Sequence, residues 1–394
     1  MNRPLRIAII AACPFPLARG TPVRILRLGE AQAELGHDVH VFTYHLGTND
    51  PARGITIHRI DPVPGYTRLS PGPTYGKLFR VDPRLLRLSR RLLHGGRFDV
   101  IHAHHYEGLL VAALARRGLR IPLVYDAHTL LMNELPSYPL GLPHGVKRML
   151  SIWLDRRLPA LADHTVCVSQ AISDRLTGDA GIAAAKVSVM ANGVEADHFD
   201  PAPYADLPRR PGRTVMFTGN LATYQGVDHL LRAFAEVVPR VPDARLVIGT
   251  DDSFAALEPL AQQLGIRDRI DVVASPSFAE LPRLIASADV AVNPRVDCDG
   301  IPVKLLNYMA AGRAVVSFAG SAPGVVHGET GWLAESGNVS ALAAGIVALL
   351  DDPQRAAQMG AAARRYVEQN SRWSRVAERC IDLYQRLIAG QRAA

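Results

Sequence analysis

The chain has 394 residues, 48% hydrophobic and 21% charged, with a formal net charge of +7. That length exceeds one ordinary domain and suits two of about 200 residues, and the composition excludes a disordered or fibrous chain. No apolar run approaches the ~20 residues that span a bilayer, and the opening MNRPLRIAII passes into a strand pattern without the long apolar stretch of a signal peptide. Cys13, Cys167, Cys298 and Cys380 are far apart and form no metal-type pairs, which predicts reduced thiols in a cytoplasmic enzyme.

Residues 5–10 are a short apolar run suited to a buried parallel strand. The 22–35 segment has helical spacing, with Val23, Leu26, Ala31 and Leu35 as expected core positions. Further strands are predicted over 39–44, 55–60, 99–102, 123–126, 164–168 and 187–190, with helical patterns between several of them. At 200–212 the text DPAPYADLPRRPG carries four prolines and a glycine and reads as a linker. Alternation restarts with a strand over 214–218 and a helix over 227–238, then strands over 245–248, 270–273, 290–293 and 314–318. The end is helical, over 339–350, 353–369 and 373–388. Repeated strand–helix–strand units imply an α/β protein of two Rossmann-like, doubly wound parallel-sheet domains facing a cleft. The expected division is 1–200, a linker at 201–212, and 213–370. Ligands of such sheets bind beyond the carboxyl ends of the strands, at the switch point.

The excess positive charge is partly local. Arg68, Lys77, Arg80, Arg84, Arg87, Arg90, Arg91 and Arg97 face one acid, Asp82, within 68–97. A second basic segment, 144–158, mixes Lys147, Arg148, Arg156 and Arg157 with Leu150, Ile152, Trp153 and Leu154. Two readings stand: a solvated arginine-rich surface, or a patch that touches anionic lipid head groups. Aromatics do not interleave with the basic run as a nucleic-acid stacking platform requires, so no nucleic-acid partner is expected.

The segment D299-G-I-P-V-K-L-L-N-Y-M-A-A-G-R-A-V-V316 places an acid and an amide, Asn307, eight positions apart around a helical apolar pattern. A helix over 302–311 begins just after Gly300 and Ile301, and its first amides and dipole suit an anion. Lys304 sits in that first turn, where a cation is unfavourable unless an anion lies between; it is a phosphate contact or an exposed lysine. Loop 13–22 (CPFPLARGTP) has Gly20, which permits close backbone approach to a substrate phosphate or acceptor, with Arg19 and Arg24 beside it. His128 follows the strand at 123–126 and is a hydrogen-bond donor to a sugar hydroxyl or a structural histidine, with Asp126 a candidate to orient it. The run HAHHYEG (102–108) is histidine-dense; acceptor contact or loop packing is expected rather than metal ligation, since no Cys or Asp completes a site by spacing.

Taken in order, these segments resemble glycosyltransferase family 4, a retaining family of the GT-B fold. The resemblance runs through LGHDVHVFT (35–43), FDVIHAH (98–104), VSQAI (168–172), MANGVEADHF (190–199), FTGNL (217–221), the 299–316 segment, GETGWL (328–333) and RWSRVAERCIDLYQRL (372–387). It implies an acceptor-binding N-terminal domain, a nucleotide-sugar-binding C-terminal domain, and a last helix, 371–390, that packs back on the first domain. It implies that His128 and Asp299 meet the donor sugar, and that Gly219, Asn220, Gln225, Gly300, Ile301, Lys304 and Asn307 line the donor site. The chain departs from the family's pattern where Asn307 stands for the usual ribose-binding Glu, and where neutral Asn220 and Gln225 stand for the usual Arg and Lys on the diphosphate. Asn307 keeps a carbonyl acceptor without the charge, or is a polar face residue.

The implied reaction moves a sugar from a nucleoside-diphosphate donor, with retention, to a carbohydrate or lipid-linked acceptor, with no metal or other cofactor. The implied location is cytoplasmic, with a peripheral position at the inner face of the cell membrane. A donor-less scaffold of the same fold and a sugar-nucleotide epimerase are the competing readings.

Overall fold

The computed structural model describes residues 3–393 except 18–19, 49–51, 70–71, 73, 139–140, 207–209 and 299, with the backbone alone at 137, 392 and 393. It divides into two compact units, residues 1–192 with 373–394, and residues 193–372.

The first unit runs β1 (Arg6–Ala11), α1 (Gly20–Glu34), β2 (Asp38–Thr43), β3 (Ile55–Arg59), a π turn at Lys77–Val81, α2 (Asp82–Gly95), β4 (Val100–His104), α3 (His105–Ala115), β5 (Leu123–Ala127), α4 (Leu131–Glu134), α5 (His144–Arg157), β6 (His164–Cys167), α6 (Gln170–Gly178) and β7 (Val187–Val189). Its strands form one parallel sheet ordered β3-β2-β1-β4-β5-β6-β7. β1, β4, β5 and β6 are buried at nearly every position, as parallel strands covered on both faces are, while the edge strand β3 is only partly buried and carries Thr56, His58 and Arg59. Ile7 and Ile9 enter one core and Ala8 and Ile10 the other.

The second unit runs β8 (Thr214–Thr218), α7 (Val227–Val237), β9 (Arg245–Thr250), α8 (Glu258–Gln263), β10 (Ile270–Ala274), α9 (Leu281–Ala286), β11 (Val290–Asn293), α10 (Val303–Ala310), β12 (Ala314–Phe318), β13 (Trp332–Ala334), α11 (Val339–Asp351) and α12 (Pro353–Asn370). Its parallel sheet is ordered β10-β9-β8-β11-β12-β13. The last helix, α13 (Trp373–Ala393), returns to the first unit, where Val376, Ala377, Cys380 and Tyr384 share a core with α1 and one sheet face.

Three details differ from the sequence expectations. The chain enters the second unit at residue 193, ahead of the proline-rich 201–212 stretch. Val194, Ala196 and Phe199 are already buried in the second unit's core, and Val194 N donates to Ser371 O at 2.7 Å. Prolines mark irregular backbone, here including a 3-10 turn at Ala202–Tyr204, and not the domain boundary itself. Helix α1 buries Ile25, Leu28 and Ala31, while Leu35 is 41% exposed. The inward stripe also carries Arg24 and Gln32, because polar partners await both. Strand β13 was not expected; its three residues are too few to show a period.

Candidate active site

In the second unit the winding reverses between β8 and β11, the switch point at which such sheets take ligands. β8 ends at Thr218, and Gly219 follows at φ +131. A Cβ on Gly219 would stand 2.9 Å from Lys304 Nζ, so the missing side chain leaves room for the lysine. The loop turns through Thr223–Gln225 to Gly226, the residue before α7, at φ +69. A Cβ there would lie 2.2 Å from Pro294 O. Gly226→Ala combines a left-handed backbone with that clash and is expected to cost on the order of 3 kcal/mol, read as a lower denaturant midpoint.

α10 approaches this loop from the other side. Lys304 Nζ donates to Gln225 Oε1 at 2.7 Å and lies 4.0 Å from the centre of the Phe217 ring. Burial, followed by the charge of Arg295, pulls its pKa down to about 7. One turn on, Tyr308 OH accepts from Thr218 N at 2.7 Å, which ties α10 to the end of β8. Asn220 Oδ1 accepts from Ala222 N, its Nδ2 donates to Tyr224 OH, and the Arg295 guanidinium lies 5.1 Å from the centre of the Tyr224 ring. Gly300 and Ile301 lead into Pro302, the N-cap of α10. Asn307, three residues after Lys304, has its Oδ1 buried without a hydrogen-bond partner. Asp299 lies outside the described residues. Gly219, Gln225 and Lys304 therefore come together, with Arg295 nearby and neutral groups around the lysine.

In the first unit the switch point lies between β1 and β4. Gly20, Thr21, His104 and His105 there line a cavity of about 320 Å³ together with Cys13 and Glu134. Gly20 has φ +51 and open space where a Cβ would stand, consistent with close approach by a ligand. Burial pushes the Cys13 thiol up to about 12, so it is no nucleophile near neutral pH.

Arg24 does not serve that loop. Its side chain is 2% exposed; Nε donates to Asp126 Oδ2 at 2.9 Å, and its other nitrogens donate to Met190 O, Ala191 O and Asn192 Oδ1. Every arm of the guanidinium is committed inside the unit, and the phosphate-loop expectation for Arg24 is corrected. Asp126 also faces His102 Nε2 at 3.4 Å and His104 Nδ1 at 3.6 Å, while His102 Nδ1 lies 2.5 Å from Tyr384 OH of α13. Burial acts to raise the Asp126 pKa, but Arg24 and the histidines outweigh it and hold the carboxyl well below its ordinary value.

His128 stands 3.0 Å by Nε2 from His104 Nδ1, 3.4 Å by Nδ1 from Thr21 Oγ1, and 3.7 Å from Asp126 Oδ1. Asp126 thus meets it beyond hydrogen-bond length, whereas His104 is within it. Burial lowers the His128 pKa to about 3 and pulls His104 well down, so both imidazoles are neutral. His102, His104 and Asp126 place one ligand-type atom each within 4.8 Å of one another, an arrangement that spacing alone did not show. The Arg24 guanidinium already supplies that carboxylate's counter-charge, which disfavours a metal ion beside it.

Sequence reasoning missed two features. His105 holds φ +64, uncommon for a residue with a side chain, and faces Glu134 at 3.5 Å. Its signal was a strand running into a helix with no turn residue between. Tyr308 lies within the apolar pattern of 302–311, where nothing local marks its hydroxyl as the link to β8.

Sequence profiles cover most of the chain. The profile described as Glycosyltransferase Family 4 matches residues 18–198, and that of Glycosyl transferases group 1 matches 212–352. The chain belongs to glycosyltransferase family 4. Among relatives of this glycosyltransferase, D-inositol 3-phosphate glycosyltransferase 2 of Catenulispora acidiphila is 28% identical, over 99% of this chain and 97% of that one. The MMP alpha-(1->4)-mannosyltransferase of Mycolicibacterium hassiacum is 26% identical, over 98% and 99%. Sucrose-phosphate synthase of Thermosynechococcus elongatus shares the fold, with a TM-score of 0.77 at 21% identity over 98% of this chain and 100% of that one. An Anabaena protein solved with UDP and glucose has a TM-score of 0.71 at 18% identity, over 97% and 99%. The glycosyltransferase thus has the GT-B pair of Rossmann-like domains. Among its described residues no helix is long and apolar enough to cross a membrane.

Proposed function

We propose that this glycosyltransferase moves a sugar, with retention of anomeric configuration, from a nucleoside-diphosphate donor held by the second unit to a carbohydrate or lipid-linked acceptor held by the first. The observation that carries the reading is Lys304. A largely buried ammonium whose hydrogen-bond partner is the neutral Gln225 and whose nearest ring is Phe217 is electrostatically incomplete. A diphosphate at the switch point supplies the missing anion and takes the first amides of α10, near Gly300 and Ile301, as well.

The transition state carries oxocarbenium character on the sugar and negative charge on the departing diphosphate. Lys304 and those amides stabilise the leaving group, while Gly219 keeps the lysine's path clear. Gln225 holds Lys304 in place, and Asn220 shapes the loop by its turn. Asn307 offers its unpartnered carbonyl to a ribose hydroxyl after side-chain rotation. Asp299 and the neutral imidazole of His128 position the sugar, the latter by exchanging its Thr21 contact for a sugar hydroxyl. Gly20 lets the acceptor reach the main chain. No step calls on a metal.

The reading also places the protein in the cytoplasm against the inner face of the membrane. Val146, Met149, Leu150 and Trp153 form an exposed apolar stripe at helical spacing along α5, flanked by Arg148, Arg156 and Arg157. That pattern suits an anionic lipid surface.

The test is a panel of UDP-, GDP-, ADP- and dTDP-sugars offered to the intact protein. One donor is expected to bind, to release its nucleoside diphosphate slowly in water, and to yield product with the donor's anomeric configuration by NMR. Binding of none supports a scaffold; an isomerised donor without acceptor supports an epimerase.

A further inference from the structure

A second cavity of the first unit is unlike the first. Between α2 and α3, Leu78, Leu86, Leu110, Leu114 and Leu142 with Tyr75 line a groove of about 450 Å³. Tyr75 is 63% exposed, and Leu78, Leu110, Leu114 and Leu142 each expose more than a third of their surface. Contiguous exposed hydrocarbon of this kind marks a binding surface rather than a solvated face.

The groove's charged wall residues, Lys77, Asp82 and Glu107, are internally paired. Lys77 Nζ lies 2.6 Å from Glu107 Oε2, and Tyr44 OH donates to Asp82 Oδ1 at 2.5 Å. Lys77 and Glu107 also line the other, comparatively more polar cavity, that of Gly20, Thr21, His104 and His105. The two cavities meet at this neutralised ion pair, with hydrogen-bonding groups on one side and hydrocarbon on the other.

The surroundings are charged in one sense. Helical spacing carries the Pro83–Leu86 stripe of α2 to Arg87 and Arg90, and the Leu110–Leu114 stripe of α3 to Arg117, all exposed. Leu142, on the groove wall, lies just before α5 and its exposed apolar stripe.

We propose that this groove holds the hydrocarbon tail of a lipid-linked acceptor whose polar head occupies the neighbouring cavity. The proposal rests on the reading of the first unit as the acceptor-binding one. The arginines complement the phosphate layer from which such a lipid is drawn, and the α5 stripe extends the apolar path to that layer. The family resemblance alone left a soluble glycan and a lipid-linked acceptor equally open.

The test needs no donor. Binding of n-alkyl phosphates, from butyl to dodecyl and below their micellar concentrations, is measured calorimetrically on the intact protein. Affinity is expected to rise about two- to fourfold per added methylene until the groove is filled. Inorganic phosphate at equal concentration is expected not to compete. Leu110→Ser with Leu114→Ser adds no charge, and is expected to weaken decyl phosphate at least tenfold while nucleoside diphosphate binding is unchanged. Leu114→Trp, which fills the groove with hydrocarbon, is a second variant should the double serine fold poorly, and is expected to shorten the longest tail that still gains affinity. Met149→Ser with Trp153→Ser is expected to keep decyl phosphate binding while weakening sedimentation with phosphatidylglycerol vesicles. Chain-length independence, competition by inorganic phosphate, or unchanged tail binding in both groove variants overturns the proposal. Loss of tail binding in the α5 variant alone also overturns it, by moving the tail to the stripe. Failure of the nucleotide-sugar panel leaves these readouts untouched, so the two readings fail separately.

Discussion

Lys304→Ala is expected to weaken binding of the donor's nucleoside diphosphate by about 10- to 100-fold, the range that one or two charge-assisted contacts supply. The second unit places few other cations where a diphosphate would lie, since Asn220 and Gln225 are neutral. Arg295 is partly committed, its Nε donating to Asp297 O. The lysine also imposes a pH dependence. Without ligand its pKa is about 7, because burial and Arg295 both oppose the charge. An anionic ligand favours the charged form and raises that value. Binding therefore takes up a proton above neutrality, and affinity falls as pH rises from about 7 toward the ligand-bound pKa, by at most about one decade per pH unit. Calorimetry of the wild type between about pH 6 and 9 is expected to show the slope, and the alanine variant to lose it. Lys304→Arg is expected not to restore full affinity, because a planar guanidinium does not fit between Gln225, Gly219 and the Phe217 ring as a compact ammonium does. Unchanged affinity with an unchanged slope in the alanine variant would place the diphosphate elsewhere.

What the sequence made legible follows from which interactions are local. Strands such as 214–218, 290–293 and 314–318 were readable to the residue because a doubly covered parallel strand is a short, nearly continuous apolar run. The Gly219, Gln225 and Lys304 grouping was readable because two neutral residues and one added cation stand out against a family pattern. Arg24 was not readable. A charge on a helix is ordinarily at the surface, and its partner Asp126 is 102 positions away. The same holds for His102, whose stacking on His104 follows from strand alternation, but whose contact with Tyr384 depends on α13 returning to the first unit. The groove between α2 and α3 lay within the basic 68–97 segment, yet pattern alone could not say that Leu78 and Leu86 of that segment would face Leu110 and Leu114 across open space. Charge is visible in one dimension; a cavity needs two elements packed at a known angle.

Arg24→Leu is expected to destabilise the first unit by about 3–5 kcal/mol, the usual cost of removing one partner from a buried ion pair. The residue left behind is a carboxylate with no exposed surface, faced by His102 and His104, of which His104 is held neutral. On a unit of this size the loss lowers the midpoint of thermal unfolding by on the order of 10 °C, measurable by calorimetry on the intact protein. The pH dependence separates lost charge from lost packing. In the wild type the Asp126 pKa is depressed, so its contribution is fully present above the ordinary carboxyl value and lost as pH falls through the folded one. In the variant burial acts without Arg24 to oppose it, and the carboxyl pKa rises. The difference from wild type is then largest at neutral and alkaline pH and narrows on acidification, as Asp126 or a neighbouring histidine takes a proton. A difference constant with pH would mean that the arginine acts through the packing of its stem. Adding Asp126→Asn to the leucine variant removes the stranded charge and is expected to recover a large part of the loss, so the double variant loses less than the two single losses summed in the double-mutant cycle. The same change reaches the candidate site, because Arg24 helps keep His128 uncharged and Asp126 favours its protonation. Without the arginine the imidazole gains proton affinity, so the variant's activity is expected to fall more steeply toward acid pH than that of the wild type, even at temperatures where both remain folded.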